Sequence, residues 1–477
     1  MELWRNSFII MTQLCNLTSQ ELNNVTFNKF LNSYLFSHWK NHNGENPSSG
    51  SWRLEIIFSP KCNLKCEYCY VNRNNENIYF NTPWDTDLVI KNTKLLLNWL
   101  YENDFNPELD IFSGELFAQE SGFQLLETIL EFYQIHNDKS HPPAIIIPTN
   151  GTFLKDEKLS NRVHNLVQEF KKLDINIHLS FSFDGFYADA ITRKYKCNLD
   201  YELDQPLDQD YYDTLFTFMK DHDFLSHPMV SPENVHVWKQ NYLWFMDMYE
   251  KYGLSPRTMY LLEVRNNNWD KKSVQDLSEF LNFIMDYWWE KTNHNSKEFL
   301  QYLLEADGNK GISAGNNILV NNLFGPQRNS GPSCTLGSHL MIRVSDLTIF
   351  PCHRLLYPEL DIAHFEETED GKLNLICDNI ELGICTFSFS PYDLPVCSTC
   401  AIRGLCCTPC YGSQYETNKE LFTPIPTVCC MEYAKIKTIL EKIIDFGIYY
   451  EFLDQLEQKY RINIHNFVQN ELKEKMR

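Results

Sequence analysis

Short apolar strands alternate with amphipathic helices across residues 53–270, and this alternation constrains the fold more than any other feature of the sequence. The strand RLEIIFSP opens the series, and five further strand segments follow it: ELDIFSGE, PAIIIPTNGT, NIHLSFSFDG, ENVHVWKQ and RTMYLLEVR. Helical periodicity fills the intervals, as in TDLVIKNTKLLLNWLYEN and FQLLETILEFYQIH. This order predicts an α/β fold with βαβ units and a parallel sheet. Six units suit a partial (β/α)6 TIM-like barrel, in which functional groups gather at the carboxyl ends of the strands.

Four segments flank the predicted barrel and differ from it in pattern. Residues 1–52 predict an N-terminal helical extension, and residues 271–333 predict a helix and a loop that form a bridge. Residues 334–435 hold most of the cysteines and few long periodic stretches, and residues 436–477 predict a C-terminal helical extension. Small cysteine-rich modules use metal in place of a large apolar core, so we expect the third segment to be a metal-binding domain.

The composition argues against two kinds of partner. The 477 residues include 42 basic and 63 acidic side chains, which give a formal net charge of -21. Nucleic-acid binding requires a basic face, so we expect no nucleic-acid partner; the acidic balance would suit a basic partner or serve solubility alone. The sequence contains no run of about 18 apolar residues, and we expect no membrane span. The N-terminus resembles no signal peptide, which predicts a cytoplasmic protein.

Three cysteines follow the first strand closely in SPKCNLKCEYCYVNR, residues 59–73. Cys62, Cys66 and Cys69 have the spacing CX3CX2C and lie on a loop that would face the functional edge of the sheet. In a reducing compartment such clustered cysteines bind metal more often than they form disulfides. Three thiolates can hold three irons of a [4Fe–4S] cluster and leave the fourth iron open. The alternative interpretation is half of a zinc site.

This loop, with Asn63 and Tyr68 inside it, resembles the radical S-adenosylmethionine (radical SAM) superfamily. The resemblance implies a [4Fe–4S] cluster whose open iron takes the amino and carboxylate groups of S-adenosylmethionine. It further implies that electron transfer cleaves the sulfonium, and that the resulting 5′-deoxyadenosyl radical abstracts hydrogen from a substrate. An electron donor such as flavodoxin or ferredoxin is then an expected partner.

Other strand ends carry further parts of the resemblance. The segment SGEL matches the superfamily's GGEP segment, in which a glycine backbone and a glutamate hold the cofactor's ammonium group. TNGT ends the third strand, and SFDG resembles the motif S-I/L-D-G, whose serine contacts the cofactor. An arginine downstream matches one that pairs with the cofactor's carboxylate, a task suited to its planar fork. The predicted cofactor-binding residues are Tyr68, Gly114, Glu115, Asn150, Ser182 and Arg193.

A second cysteine cluster, CX2CX5CX3C, is preceded by two cysteines and followed by an adjacent pair. This order resembles the SPASM extension of radical SAM enzymes, which holds two auxiliary [4Fe–4S] clusters. The resemblance assigns Cys334, Cys352 and Cys410 to the first of these clusters, and Cys397, Cys400, Cys406 and Cys430 to the second. Cys430 is preferred to Cys429 because CMEYAK resembles the family's terminal C-x-x-Y. The first auxiliary cluster lacks a fourth cysteine, which leaves an open iron or a ligand such as His339; a pair of zinc ribbons is the alternative to both clusters.

Radical SAM enzymes with a SPASM extension mostly modify peptides or proteins. The resemblance therefore implies a maturase that acts on a ribosomally made precursor peptide and installs a thioether, carbon–carbon or ether crosslink, or inverts a stereocentre. Either a separate leader-binding protein presents the peptide, or residues 1–50 and the C-terminal helix dock it. A zinc-stabilised peptide-binding scaffold is the alternative outside enzymes.

Three further residues are candidate catalytic side chains. Glu263 and Arg265 end the sixth predicted strand, where they would line the adenine and substrate side or form a structural ion pair. His353 follows Cys352 directly. In sulfatase maturases, which oxidise cysteine or serine to formylglycine, an aspartate at that position acts as a base. Histidine can act as a base near neutral pH, so this activity remains an alternative to the peptide maturase.

Overall fold

The computed structural model describes residues 53–73, 84–102, 107–112, 114–136, 144–195, 207–222, 225–256, 259, 261–266, 268–304, 339–376, 379, 382, 394–406, 410–456 and 458–476. Several predictions lie outside these ranges, namely the N-terminal extension, the loop before residue 334, Ser113 of the SGEL segment, and Cys334. Within the described ranges, no helix combines the length and the apolar character needed to cross a membrane.

The strands and helices alternate through the first half of the described chain. The strands are β1 Arg53–Ile57, β2 Leu64–Cys66, β3 Glu108–Phe112, β4 Ile145–Thr149, β5 Ile177–Phe181, β6 Arg193–Tyr195, β7 Leu225–Ser226, β8 Met229–Val230, β9 Leu262–Glu263, β10 His339–Arg343, β11 Thr348–Phe350, β12 Ala363–Glu367 and β13 Leu373–Ile376. The helices are α1 Tyr70–Arg73, α2 Thr86–Glu102, α3 Glu120–Ile135, α4 Glu157–Lys172, α5 Phe186–Thr192, α6 Gln209–His222, α7 Trp238–Tyr252, α8 Lys271–Lys291, α9 Ser296–Leu304, α10 Pro395–Ser398, α11 Tyr411–Asn418, α12 Pro426–Asp445, α13 Tyr449–Asp454 and α14 Gln458–Glu471.

The largest sheet has the strand order β13-β12-β11-β10-β1-β3-β4-β5-β7. The strands from β10 to β7 run parallel, whereas β10, β11, β12 and β13 pair in antiparallel fashion. Two short parallel strands, β8 and β9, continue the series beyond β7, and a bridge joins Ser226 to Met259. The predicted α/β fold with a parallel sheet is therefore confirmed.

The fifth predicted strand, ENVHVWKQ, is wrong. Its residues form a 3-10 turn at Val235–Val237 and the first residues of α7. The apolar residues that follow the alternating Val-His-Val recur at helical spacing, and Trp238 and Tyr242 are fully buried on one helix face. The Asn234 side chain fixes this start, because its Oδ1 accepts from Trp238 Nε1 at 2.9 Å. The strands at this point of the series are instead β7 and β8.

The two faces of the parallel sheet differ in polarity, because successive strand side chains point to opposite sides. Ile56 and Ile111 belong to the face that packs into the main apolar core together with the buried sides of α2 and α3. The other face carries polar side chains, among them Glu55, Asp110 and Ser180. A polar inner face next to the strand ends positions groups that can bind or act on a ligand.

Strand β10 joins the cysteine-rich segment to the barrel, since it pairs in parallel register with β1 from Arg53 opposite His339 to Ile57 opposite Arg343. Helix α12 packs against α8. Its residues Ile436, Ile439 and Ile443 are fully buried. The boundaries of the five predicted segments stay a prediction, but a single sheet includes strands from both residues 53–270 and residues 334–435.

Candidate functional site

The first cysteine loop lies beyond the carboxyl end of β1 and is held in place by backbone pairing. Strand β2 pairs with β6 in antiparallel fashion, and this register sets Cys66 opposite Arg193. The Leu64 N–H points at Cys62 Sγ, 3.4 Å away, and the Cys69 N–H donates to the Cys66 carbonyl. The three predicted thiols therefore lie on one loop beside the guanidinium of Arg193.

Glycine at position 114 allows the SGEL segment to approach this loop. A methyl group on Gly114 would lie 2.2 Å from the carbonyl oxygen of Lys61. The Gly114 N–H donates to the Ser59 carbonyl at 2.7 Å, and the Glu115 N–H donates to the Lys61 carbonyl at 2.9 Å. The end of β3 is thus fastened to the residues directly before Cys62.

The thiols are compatible with an iron–sulfur cluster. Burial, together with the neighbouring Glu115 carboxylate and Cys69 sulfur, raises the pKa of Cys62 to about 12, so a bound cation is needed to keep the thiolate form. Within the described ranges, no three His, Cys, Asp or Glu side chains converge as they would around a single metal ion. Each thiolate of a [4Fe–4S] cluster binds a different iron. Cys62, Cys66 and Cys69 would each bind one iron of such a cluster.

Glu115 is a buried carboxylate that suits a cationic ligand. It accepts hydrogen bonds from the Asn150 N–H at 2.6 Å and from Thr149 Oγ1 at 2.8 Å, and it forms no ion pair with the residues described. Burial raises its pKa to about 7 despite these hydrogen bonds. An ammonium group bound there would favour the ionised form.

Asn150 links the end of β4 to the cysteine loop. Its Nδ2 donates to Asn63 Oδ1 at 2.8 Å and lies 3.9 Å from Cys62 Sγ, while Asn63 Nδ2 donates to Thr152 Oγ1 at 2.8 Å. Both amide side chains are buried. The structure therefore gives Asn150 a role in ordering the loop, next to the cluster site.

Arg193 lies in a buried network that the sequence did not predict. Its Nε forms an ion pair with Asp189 Oδ1 at 3.2 Å, and its Nη1 donates to the Tyr68 hydroxyl at 3.2 Å. The Tyr68 hydroxyl donates to Asp184 Oδ2 at 2.6 Å. Burial raises the pKa of Asp189 to about 7, and Arg193 opposes this rise. The signal for Asp184 was present in SFDG, but no sequence pattern pairs it with Tyr68.

Ser182 contacts a histidine that the sequence interpretation missed. The Ser182 Oγ lies 2.9 Å from His227 Nε2, and His227 follows β7. This omission follows from the misplaced fifth strand, because the strand that positions His227 was assigned about ten residues downstream.

Cys352 and Cys410, predicted for the first auxiliary cluster, both lie beside Arg354. The Arg354 N–H points at Cys352 Sγ at 3.3 Å. Burial alone would raise the pKa of Cys410, but the charge of Arg354 and hydrogen bonding from Ser413 lower it. A lowered pKa favours the thiolate that iron requires.

A cavity of about 110 Å³ is lined by five cysteines of the second cluster and of α12. Its sulfur-bearing residues are Cys397, Cys400, Cys406, Cys410 and Cys429. Cys429 lies near enough to Cys397 and Cys400 for their charges, after burial, to raise its pKa to about 11. Cys429 and Cys430 are both exposed, and Cys430 does not line the cavity. The lining of the cavity therefore favours Cys429 over the predicted Cys430, because consecutive helical residues point in directions about 100° apart and only Cys429 of the two meets the cavity.

The three candidate catalytic residues lie apart. The Glu263 carboxylate accepts from Lys435 Nζ at 2.9 Å, and both side chains are buried, which favours a structural ion pair. Arg265 lines the cysteine cavity. His353 Nδ1 lies 3.0 Å from Glu55 Oε2 on the polar face of the sheet, and its ring stacks on Phe112 with centroids 5.2 Å apart. Burial lowers the pKa of His353, but the Glu55 carboxylate raises it above its ordinary value.

Comparison with known proteins shows the fold. No family model matches the chain. An uncharacterized protein of Methanocaldococcus jannaschii, MJ0907, is 28% identical over 147 residues, which is 31% of this chain and 43% of that protein. The solved structure of anSMEcpe with bound AdoMet is 17% identical, covers 87% of this chain and 98% of its own, and has a TM-score of 0.53. The structure of anSMEcpe with AdoMet and the Kp18Cys peptide is 16% identical, covers 85% of this chain and 100% of its own, and has a TM-score of 0.52.

Since anSMEcpe is a radical SAM/SPASM maturase, the chain has the fold of these enzymes. The fold predicted from the strand and helix pattern and from the two cysteine clusters is confirmed.

Proposed function

We propose that this chain is a radical S-adenosylmethionine enzyme that modifies a ribosomally made peptide. The observation that carries the proposal is the meeting of Cys62, Cys66 and Cys69 with Glu115 and Arg193 at the carboxyl edge of the parallel sheet. The fold shared with anSMEcpe supports it.

In this proposal the three thiolates hold a [4Fe–4S] cluster, and the fourth iron takes S-adenosylmethionine. When bound, the cluster and cofactor supply a carbon radical that removes hydrogen from the substrate. Glu115 faces the cofactor's ammonium group, because it is a buried carboxylate with no cation of its own among the residues described. Arg193 and Ser182 face its carboxylate, and Asn150 orders the loop that carries Cys62.

Two auxiliary [4Fe–4S] clusters complete the proposed cofactor set. Cys352 and Cys410 would hold the first together with Cys334, which lies outside the described residues. The second would take four of the five cysteines that line the cavity between α10 and α12, namely Cys397, Cys400, Cys406 and Cys429. Arg354 and Arg265 add positive charge beside Cys410, which suits a thiolate that binds a cluster.

A peptide substrate is supported by the anSMEcpe structures, which contain peptides. The net charge of -21 suits a basic peptide. We propose a cytoplasmic enzyme that receives electrons from a flavodoxin or ferredoxin, and either a separate leader-binding protein or the chain's own terminal segments to present the peptide. The product is a crosslink or an inverted stereocentre.

One observation favours a second candidate, oxidation of cysteine or serine to formylglycine. That chemistry needs a base at the position of His353, and the Glu55 carboxylate 3.0 Å from His353 Nδ1 orients the ring and makes it more basic. Histidine can therefore replace the aspartate of sulfatase maturases.

Anaerobic reconstitution tests the proposal. The chain should bind roughly eight to twelve irons, because two or three [4Fe–4S] clusters are expected, and it should release 5′-deoxyadenosine from S-adenosylmethionine under a strong reductant. Cys66→Ala should abolish this cleavage and remove only the catalytic cluster. Zinc without iron would instead identify a structural scaffold. Mass spectrometry of a coexpressed candidate peptide separates most products. Crosslinking, or oxidation of serine to formylglycine, removes two hydrogens; oxidation of cysteine to formylglycine also exchanges sulfur for oxygen; and epimerisation leaves the mass unchanged.

A further inference from the structure

His227 forms hydrogen bonds through both ring nitrogens to Ser180 of β5 and to Ser182, which directly follows that strand. Its Nδ1 lies 3.0 Å from Ser180 Oγ, and its Nε2 lies 2.9 Å from Ser182 Oγ. Parallel pairing explains the placement, because Phe181 is in register with Ser226 and the next residue of each strand then faces its neighbour. Ser180 and Ser182 point to the same face of the sheet, since they are two residues apart in an extended chain.

Burial does not by itself explain this arrangement. The three side chains are neither fully buried nor fully exposed. The histidine nevertheless bonds to both serines. This hydrogen-bonded chain ends on Ser182, directly after the carboxyl end of β5, and is therefore placed to order that predicted cofactor-binding hydroxyl.

The ring of His227 is neutral in this environment. Burial, together with the charges of Arg193 and His178, lowers its pKa to about 4. A neutral imidazole has one N–H donor and one acceptor nitrogen. One serine therefore donates to the ring while the other accepts from it.

The direction of these bonds decides what Ser182 offers to a ligand. A hydroxyl has a single hydrogen to donate. If Ser182 donated it to Nε2, only oxygen lone pairs would face an anionic ligand beside Arg193. If Nε2–H donates to Ser182 instead, the serine hydrogen is available to a carboxylate, and Nδ1 accepts from Ser180.

We propose that His227 is a positioning residue that donates from Nε2 to Ser182, so that the Ser182 hydroxyl donates to the carboxylate of S-adenosylmethionine. The chain of donors then runs from Ser180 through His227 and Ser182 to the ligand, and each bond polarises the next. This inference rests on the proposed function, and it assigns a role to a residue outside the cofactor-binding motifs.

The test measures S-adenosylmethionine affinity by equilibrium dialysis with anaerobic, cluster-loaded full-length protein. His227→Gln places an amide N–H near the position of Nε2, whereas His227→Asn reaches only the position of Nδ1. We expect His227→Asn and His227→Phe to weaken binding about 10-fold or more, as for a lost hydrogen bond to a charged group. We expect His227→Gln to retain affinity within about threefold of the wild type. His164→Asn, at an exposed histidine of α4, is the matched control.

A double-mutant cycle separates positioning from a structural role. If His227 acts through Ser182, His227→Phe should have no further effect on affinity in a Ser182→Ala background. Additive losses in the double variant, or Asn and Gln variants of equal affinity, would overturn the proposal. Normalising each affinity to iron content removes effects of incomplete cluster loading. If the wild type itself binds no S-adenosylmethionine, the proposed function fails; if it binds but the His227 variants bind equally well, only the positioning role fails.

Discussion

Gly114→Ala perturbs the contact on which the candidate site depends most directly. The added methyl carbon would lie 2.2 Å from the Lys61 carbonyl oxygen and 2.6 Å from that of Pro60. Carbon and oxygen atoms in close contact stay about 3.3 Å apart, so the segment after β3 must move by about 1 Å. Both neighbours are backbone atoms, and no side-chain rotation relieves the clash.

The structure gives the size of the effect. A 1 Å displacement disrupts the hydrogen bonds from the Gly114 and Glu115 N–H groups, which are 2.7 and 2.9 Å long. At about 1 kcal/mol for each bond, the variant loses about 2 kcal/mol of stability. Glu115 moves with its backbone, so we also expect S-adenosylmethionine affinity to fall about 10-fold or more.

Two measurements check this prediction: urea unfolding monitored by tryptophan fluorescence, and equilibrium dialysis of S-adenosylmethionine with the cluster-loaded protein. Gly253→Asn is the control, because the αL conformation at the end of α7 tolerates asparagine and nothing lies within 4 Å of an added Cβ. If Gly114→Ala matched the wild type in both assays, the close approach of β3 to the cysteine loop would not support the site.

Three further predictions concern other parts of the chain. Lys435→Met should cost about 3–5 kcal/mol in urea unfolding, because it leaves the Glu263 carboxylate buried and unpaired, and adding Glu263→Gln should restore part of the loss. Cys429→Ala should lower the iron content by about four per chain, whereas Cys430→Ala should leave it unchanged, and the reverse pattern would return the assignment to Cys430. His227 takes up a proton near pH 4 when folded and near 6.5 when unfolded, so acidification through this range should destabilise the wild type relative to His227→Gln by up to about 3 kcal/mol.

The sequence predicted the elements whose signal is local. The alternation of strands and helices predicted the parallel sheet, and the spacing of Cys62, Cys66 and Cys69 predicted a ligand loop after β1. The prediction failed where one residue pattern was compatible with both a strand and a helix. The stretch around Val235 alternates over only three residues, and the helical spacing of the aromatic residues that follow it determines the structure.

Partners across the fold were not predictable, because they depend on register between distant strands. Asp184 meets Tyr68 across 116 positions, and Glu55 meets His353 across 298. Cys429 and Cys430 are adjacent in sequence and differ only in which side of α12 faces the cavity. A motif identifies residue types and spacing, whereas burial and helix face decide which residue acts.

The pairing of β10 with β1 connects the two cysteine-rich regions mechanically. β1 leads directly into the loop of Cys62, and β10 and β11 lead directly to Cys352 and His353. Because five residue pairs hold β10 in register with β1, a shift of one strand would move both regions together. The side-chain contact of His353 with Glu55 of β1 adds a second connection between these two regions, besides the backbone hydrogen bonds of the sheet. Under the proposed function, a substrate bound between the loop of Cys62 and the segment of Cys352 would therefore meet both at a fixed separation, as directing a radical to one position of a peptide requires.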